Sequence, residues 1–495
     1  MSVRRYAVLF TGVVLIARLM TLDAFPLFDT SEARYSEIAR LMAESGDWIT
    51  PWFEPGVPFW GKPPLSFWLS AASFRLLGVS EFAARFPHWL LACATLWLVA
   101  HVSHKAGALV PWRAPFILAT SALFFVANGA VLTEMSLLLS VTLSLAAAFH
   151  VLFADRRRWG MLFFVGLGLG ALAKGPVAWV LTLGPLFAWA LLTRRLGDLF
   201  RKLPWGKGLL LTLAIALPWY LAAEAKTPGF FDYFLLGEHF RRFVDPGWAG
   251  DLYGTAHQRP RGTIWLLALA AGLPWTLLLP VIAWKRWRQP DAARACADDD
   301  RQLFFLAWGL APLVFFTFAG NILWTYVLPG LPGFALWFDQ WWRRRGAGVR
   351  AGDRLIAGLG AVTPLVLVIL IFTVANDPER ARSEKYLLQG IAGSSRDDAI
   401  YFLDRRPFSA RFYSRGRARL VSGKDLQTLA TSPEPFFVAV PPQRDAEILR
   451  VFPQAVHLGR NARFSMYRVE PAAPDRAFAA SSRLTTHPVA GDGDF

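Results

Sequence analysis

The sequence predicts a polytopic α-helical membrane protein that ends in a small soluble α/β domain. Three observations carry that prediction. Of 495 residues, 54% are hydrophobic and 22 are tryptophan, with a mean hydropathy of +0.35; this is too apolar for a soluble enzyme of that length. Apolar windows of bilayer-spanning length recur from the N-terminus to residue 375. Beyond residue 376 short apolar runs (AIYFL, FFVAV, FSMYRV) alternate with polar stretches such as PQRDAEILRVF, the pattern of a mixed α/β domain.

The first window, 6–22, follows a basic start but lacks a small-x-small cleavage site, so it reads as a retained helix rather than a removed signal. Further windows fall at 86–104, 114–131, 135–153, 159–173, 176–192, 208–224, 263–284, 302–319, 322–338 and 355–375. Together they predict about eleven to thirteen transmembrane helices. The stretch 65–78 is apolar but short and carries Arg75, which suits an interfacial helix. The resulting scheme is a membrane domain over 1–375 with an outer loop at 23–85, a soluble domain over 376–475, and a disordered tail over 476–495.

The formal net charge is +16. In a soluble protein that would point to nucleic acid. Here the basic residues gather between spans, at Arg4 and Arg5, Lys105 and Arg113, Arg156–Arg158, Arg194 to Lys207, Lys285 to Arg301 and Arg343 to Arg354. Positive charge on one side marks the cytoplasmic face, so no nucleic-acid partner is expected. The Asp29–Pro64 loop, Glu134, Lys174, the segment 225–261 and the C-terminal domain then share the opposite, outer face of the membrane. The two cysteines, Cys93 and Cys296, imply no disulfide framework.

The outer face holds the residues that could carry chemistry. In DTSEARYSEIARLM, Asp29 and Glu32 are either the cap and dipole partner of an amphipathic helix or carboxylates that orient and deprotonate an acceptor. Glu134 begins a span, where an acid close to hydrocarbon is costly and therefore a functional candidate. Lys62 in FWGKPPLSFW and Lys174 in LGALAKGPVAW either snorkel to headgroups or bind phosphate as point charges. His239, Arg241, Arg242, His257, Arg259 and Arg261 form a cationic belt whose simpler explanation is attraction to anionic membrane lipids. Tyr326 starts a span and also suits the interfacial aromatic belt.

Several of these motifs resemble one family. DTSEARYSEIARLMAESGDWITPWF, PFWGKPPLSFW, SEFAARFP, ALAKGP, EHFRRF, AHQRP and TYVLPGLPGFAL are similar to stretches of the bacterial aminoarabinose transferases that modify lipid A. These are relatives of the protein O-mannosyltransferases with the GT-C membrane glycosyltransferase fold. The resemblance spans residues 5–340. It implies a sugar donor on a polyprenyl phosphate, with the phosphate held by Lys62, Arg242 and His257. It places Arg34 and Tyr35 in the site, makes Glu134 the acid of the second outer loop, and sets Tyr326 beside the cavity. Ser31 stands where the family commonly has Asp, and Gly61 where it often has a Glu that can serve a divalent metal. No other cofactor is implied.

The function expected is transfer of a sugar from a polyprenyl-phosphate donor to a lipid, glycan or protein acceptor. A flippase for a lipid-linked sugar is the alternative. It would share the phosphate site, but transporters place charges near the midplane and carry internal repeats, and this chain shows neither pattern. A scaffold role explains the soluble domain but not the polar loop.

Overall fold

A computed structural model describes residues 3–108, 111–245, 248–254, 257–288, 299–343, 349–376, 382–391, 398–430 and 432–470. The expected tail over 476–495 and Cys296 lie outside these residues. The chain forms two compact units. One comprises Met1–Phe25 and Tyr35–Thr373; the other joins Pro26–Arg34 to Val374–Phe495.

The first unit is helical. Among the described residues, Glu81–Lys105, Thr133–Phe153 and Trp205–Lys226 are long and apolar enough to cross a membrane. A fourth crossing is available to the pair Thr263–Ala271 and Trp275–Trp284, bent by 104°. The bend falls at Gly272–Leu273–Pro274, where proline supplies no N–H to continue the ladder. Leu65–Leu77, expected as a short interfacial helix, has 13 residues; other predicted windows form shorter helices than a span requires, among them Gly160–Lys174 with 15 and Pro176–Leu192 with 17. At about 1.5 Å per residue these fall short of a bilayer core of about 30 Å.

Two further windows expected as single spans are interrupted. The window 114–131 divides into Arg113–Ala119 and Ala122–Ala127 because the Ala122 N–H leaves the helix to reach the Leu273 carbonyl at 2.8 Å. The window 322–338 opens with a 3-10 turn, Trp324–Gly330, before the helix Leu331–Arg343.

The packing is that of a membrane protein. On Trp205–Lys226 the residues Gly208, Thr212, Ala216, Trp219 and Ala223 face inward, while Leu210, Leu213, Leu217 and Leu221 are exposed. Small residues inside and leucines outside are the arrangement that lipid permits and water penalises. Thr133–Phe153 is buried along nearly its whole length. It meets Gly160–Lys174 closely, with the Ser144 hydroxyl donating to the Phe163 carbonyl at 2.9 Å. A Cβ on Gly166 would stand 2.8 Å from the Ser140 carbonyl oxygen. Gly166→Ala is therefore expected to cost about 1–3 kcal/mol, read as a lower thermal unfolding midpoint in detergent. An unchanged midpoint would show that the two helices separate freely.

The second unit contains a five-stranded sheet in the order Ala418–Val421, Ala399–Leu403, Phe436–Val440, Ser465–Val469, Val456–Arg460. The first three strands are parallel and the last two pair antiparallel. Phe436–Val440 is buried at every position, as its unbroken apolar run FFVAV requires of a central parallel strand. The edge strand Val456–Arg460 is mostly exposed and carries no alternation, which is why only three of the five strands are legible as apolar runs.

Candidate active site

A group of polar residues of the helical unit gathers around one cavity. Glu134 stands in the first turn of Thr133–Phe153. Lys174 ends Gly160–Lys174, and Gly175 turns the chain at φ +69° before Pro176 starts the next helix. A Cβ on Gly175 would also lie 2.7 Å from the Phe234 ring, so glycine is required twice over. Lys174 Nζ donates to Glu134 Oε1 at 2.7 Å and sits 4.5 Å from the centre of the Tyr326 ring. Thr325 donates to the same oxygen at 3.3 Å.

A second group gathers around Glu238. It lies on a π-helical segment, Asp232–Arg241, a geometry often kept at functional sites. One Glu238 oxygen is ion-paired with Lys62 Nζ, and the other accepts from Arg242 Nη1 at 2.7 Å. Lys62 Nζ also donates to the Gly61 carbonyl at 2.7 Å, and Arg242 pairs with Asp251 at 3.2 Å. Burial alone would raise the Glu238 carboxyl, but the charges of Lys62 and Arg242 outweigh it and hold the group down to about 2. Its contribution to stability is therefore complete above the ordinary value of 4.5 and is lost only as pH falls towards 2.

Between the two groups lies a cavity of about 200 Å³, with Lys62, Lys174, Glu238, His239, Arg242, Asn321 and Tyr326 on its polar side and Glu134 and Asp251 outside its lining. Val177, Val180, Phe243, Phe315 and Phe316 form the apolar wall. A cationic patch against an apolar wall suits the head of an amphiphile whose head is an anion. His239 places Nδ1 2.7 Å from the Phe234 carbonyl oxygen and Nε2 3.0 Å from the Lys174 carbonyl oxygen, which ties the π-helical segment to the end of Gly160–Lys174.

The remaining sequence candidates lie elsewhere. His257 is exposed; its carbonyl accepts from the Ile322 N–H at 3.1 Å, and its ring does not line the cavity. Tyr35 is buried edge-on against Phe59 and Phe67. Asp29, Glu32 and Arg34 belong to the second unit. There Ser409 gives Asp29 its N–H at 2.9 Å and its hydroxyl at 2.6 Å, and Arg463 pairs with Asp29 at 2.7 Å and with Glu384 at 2.6 Å. Glu32 accepts from the Phe28 N–H at 3.1 Å, and Arg34 sits 5.7 Å from the centre of the Phe408 ring. Asp29 thus works as a clasp between residues 26–34 and the sheet unit. Asp29→Ala and Arg463→Met are each expected to lower the thermal unfolding midpoint, with less than additive loss in the double variant because they share one interaction. Full additivity would dissolve the clasp.

The residues do not fit a divalent metal. At position 61 a Cβ would meet the Phe59 ring at 3.0 Å. The Glu238 oxygens are given to Lys62 and Arg242, and both His239 nitrogens are aimed at carbonyl oxygens. Among the described residues no three His, Cys, Asp or Glu side chains converge as ligands.

Residues 9–234 match the family described as dolichyl-phosphate-mannose-protein mannosyltransferase. An undecaprenyl phosphate-α-4-amino-4-deoxy-L-arabinose arabinosyl transferase from Pseudomonas savastanoi is 31% identical over 405 residues, covering 78% of this chain and 71% of that protein. The chain belongs to this arabinosyl transferase family. A Pseudomonas fluorescens transferase of the same description is 30% identical over 372 residues, 71% of this chain, and the chain spans 61% of its length. Among solved structures, ArnT from Cupriavidus metallidurans without ligand superposes with a TM-score of 0.76 at 18% identity, covering 94% of this chain and 97% of that one. The same protein bound to undecaprenyl phosphate gives 0.73 at 19% identity, covering 94% and 98%. The arabinosyl transferase family member described here therefore has the GT-C fold and is a bacterial membrane protein.

Within that family the cations Lys62, Lys174 and Arg242 were legible from sequence, but Glu238 and Asp251 were not among the expected residues. The spacing Glu238-x-x-x-Arg242 is the signal that could have found Glu238, since residues four apart face each other on a helix.

Proposed function

We propose that the chain transfers an amino sugar from a polyprenyl-phosphate donor to a lipid acceptor at the periplasmic face of the bacterial inner membrane. The observation that carries this reading is the cavity with Lys62, Lys174 and Arg242 on one side and an apolar wall on the other. The names of the relatives supply the donor class, undecaprenyl phosphate bearing 4-amino-4-deoxy-L-arabinose. The acceptor is lipid A or a similar glycolipid. The clustering of basic loops opposite the cavity residues supports the periplasmic assignment.

In this mechanism the donor phosphate sits against Lys62 and Arg242, with Lys174 behind it. An acceptor oxygen attacks the anomeric carbon while the bond from that carbon to the phosphate oxygen breaks. The bonding pair stays on the phosphate, where the three cations neutralise the developing charge. Glu238, held far below neutrality, is a poor base, so it serves as a charge partner. Asp29, Glu32 and Glu134 each spend an oxygen on a protein donor. We therefore assign the main contribution to leaving-group stabilisation, with the acceptor proton passing to water at the partly exposed Lys62 and Arg242.

The test is transfer of radiolabelled sugar from a polyprenyl-phosphate donor to lipid A by the purified protein. Product formation is expected. Movement of the donor across a vesicle membrane without transfer would favour the flippase and sink this proposal.

A further inference from the structure

Three cations, Lys62, Lys174 and Arg242, are matched by three carboxylates, Glu134, Glu238 and Asp251. The phosphate site is thus balanced before any substrate arrives. Glu134 and Asp251 each touch a single cation of this set, whereas Glu238 gives one oxygen to Lys62 and the other to Arg242. It lines the cavity with both of them, and its side chain is only 6% exposed. A carboxylate bridging two cations in this way makes the contacts that two oxygens of a phosphate would make.

The backbone under Glu238 is held from behind. The Trp248 ring lies over Gly237, where a Cβ would approach it to 2.8 Å, and the His239 ring sits between the Phe234 and Lys174 carbonyl oxygens, to one of which it donates. Glu238 cannot easily leave with its segment, so an incoming phosphate shares or contests Lys62 and Arg242 rather than finding them vacant.

We propose that Glu238 is the internal counter-anion of the donor-phosphate site: it keeps Lys62 and Arg242 in register and promotes release of the spent carrier. The charge change of the reaction gives the physical reason. A sugar-phosphate-lipid donor is a phosphodiester with one negative charge. The product is a phosphate monoester carrying about −1.5 to −2 at neutral pH. A site built only of cations would hold its product more tightly than its substrate. A fixed carboxylate among them repels the more highly charged product more strongly, which keeps turnover from stalling.

This inference rests on the phosphate-site reading above. It is tested with purified full-length protein in detergent, measuring undecaprenyl phosphate binding together with the kcat and KM of transfer. Glu238→Gln is expected to bind undecaprenyl phosphate at least tenfold more tightly, with lower donor KM, lower kcat and stronger product inhibition. A merely structural role predicts the reverse, weaker binding with raised KM. Glu238→Asp keeps the charge on a shorter arm that cannot span both cations, and its affinity should fall between wild type and Glu238→Gln. Should Glu238→Gln fail to show a thermal transition, the Glu238→Asp comparison decides, and equal or weaker binding overturns the proposal. If wild type binds and folded Glu238→Gln binds no more tightly, only the role of Glu238 is lost. If wild type itself does not bind undecaprenyl phosphate, the phosphate-site reading fails and this inference with it.

Discussion

Lys62→Met is expected to lower sugar transfer by about 10²–10³-fold, the usual effect of removing one preorganised charge from a site where negative charge develops. Methionine keeps much of the side-chain length and removes the ammonium. Lys62 lines the cavity, reaches Glu238 and the Gly61 carbonyl, and is followed by Pro63 and Pro64, which stiffen the chain behind it. Its charge is therefore held in place in advance of the donor that we propose binds there. The loss should appear in kcat as well as KM, because the charge on phosphate grows as the sugar departs. Arg242→Lys, which retains charge but loses the planar fork, should give a smaller loss. Steady-state transfer with varied donor measures both. A Lys62→Met enzyme with near wild-type kcat would remove Lys62 from leaving-group stabilisation.

The second large effect concerns the buried pair Glu134 and Lys174. Their side chains are 8% and 10% exposed, so removing one partner strands a charge in a poorly solvated place. Glu134→Gln and Lys174→Met are each expected to destabilise the protein by about 3–5 kcal/mol and to suppress transfer. The double variant should regain most of the stability, since no unpaired charge is left, yet stay inactive because Lys174 no longer faces the cavity as a cation. Thermal unfolding in detergent gives the first readout and transfer the second. A double variant that recovers activity would make the pair structural only. A double variant as unstable as the sum of the singles would deny the coupling.

Where local pattern was enough, the sequence was readable. The apolar runs AIYFL and FFVAV appear as strands Ala399–Leu403 and Phe436–Val440 because buried strands need nothing beyond their own apolar side chains to be recognised. Ala418–Val421 escaped notice because two of its four residues are exposed. The window 114–131 looked continuous in hydropathy, yet a backbone bond from Ala122 to Leu273 divides it. Hydropathy reports the preference of a segment for lipid and carries no information about a partner 151 positions away.

The site shows the same division. Lys62, Lys174 and Arg242 stand out as cations at the edges of apolar segments, and that local anomaly is visible in the chain itself. The family motifs narrow the chemistry further. The pairing of charges is a different matter. Lys62 and Glu238 are 176 residues apart, Lys174 and Glu134 are 40 apart, and Asp29 and Ser409 are 380 apart. Sequence alone therefore determined the membrane class, the α/β ending and the cations of the candidate site. Only the tertiary structure decided that Asp29 clasps the sheet unit, that Glu134 neutralises Lys174, and that Glu238 bridges the two remaining cations. The physical reason is range. Burial preference is a property of each segment, whereas an ion pair in a poorly solvated interior exists only where folding brings two distant side chains within a few ångströms.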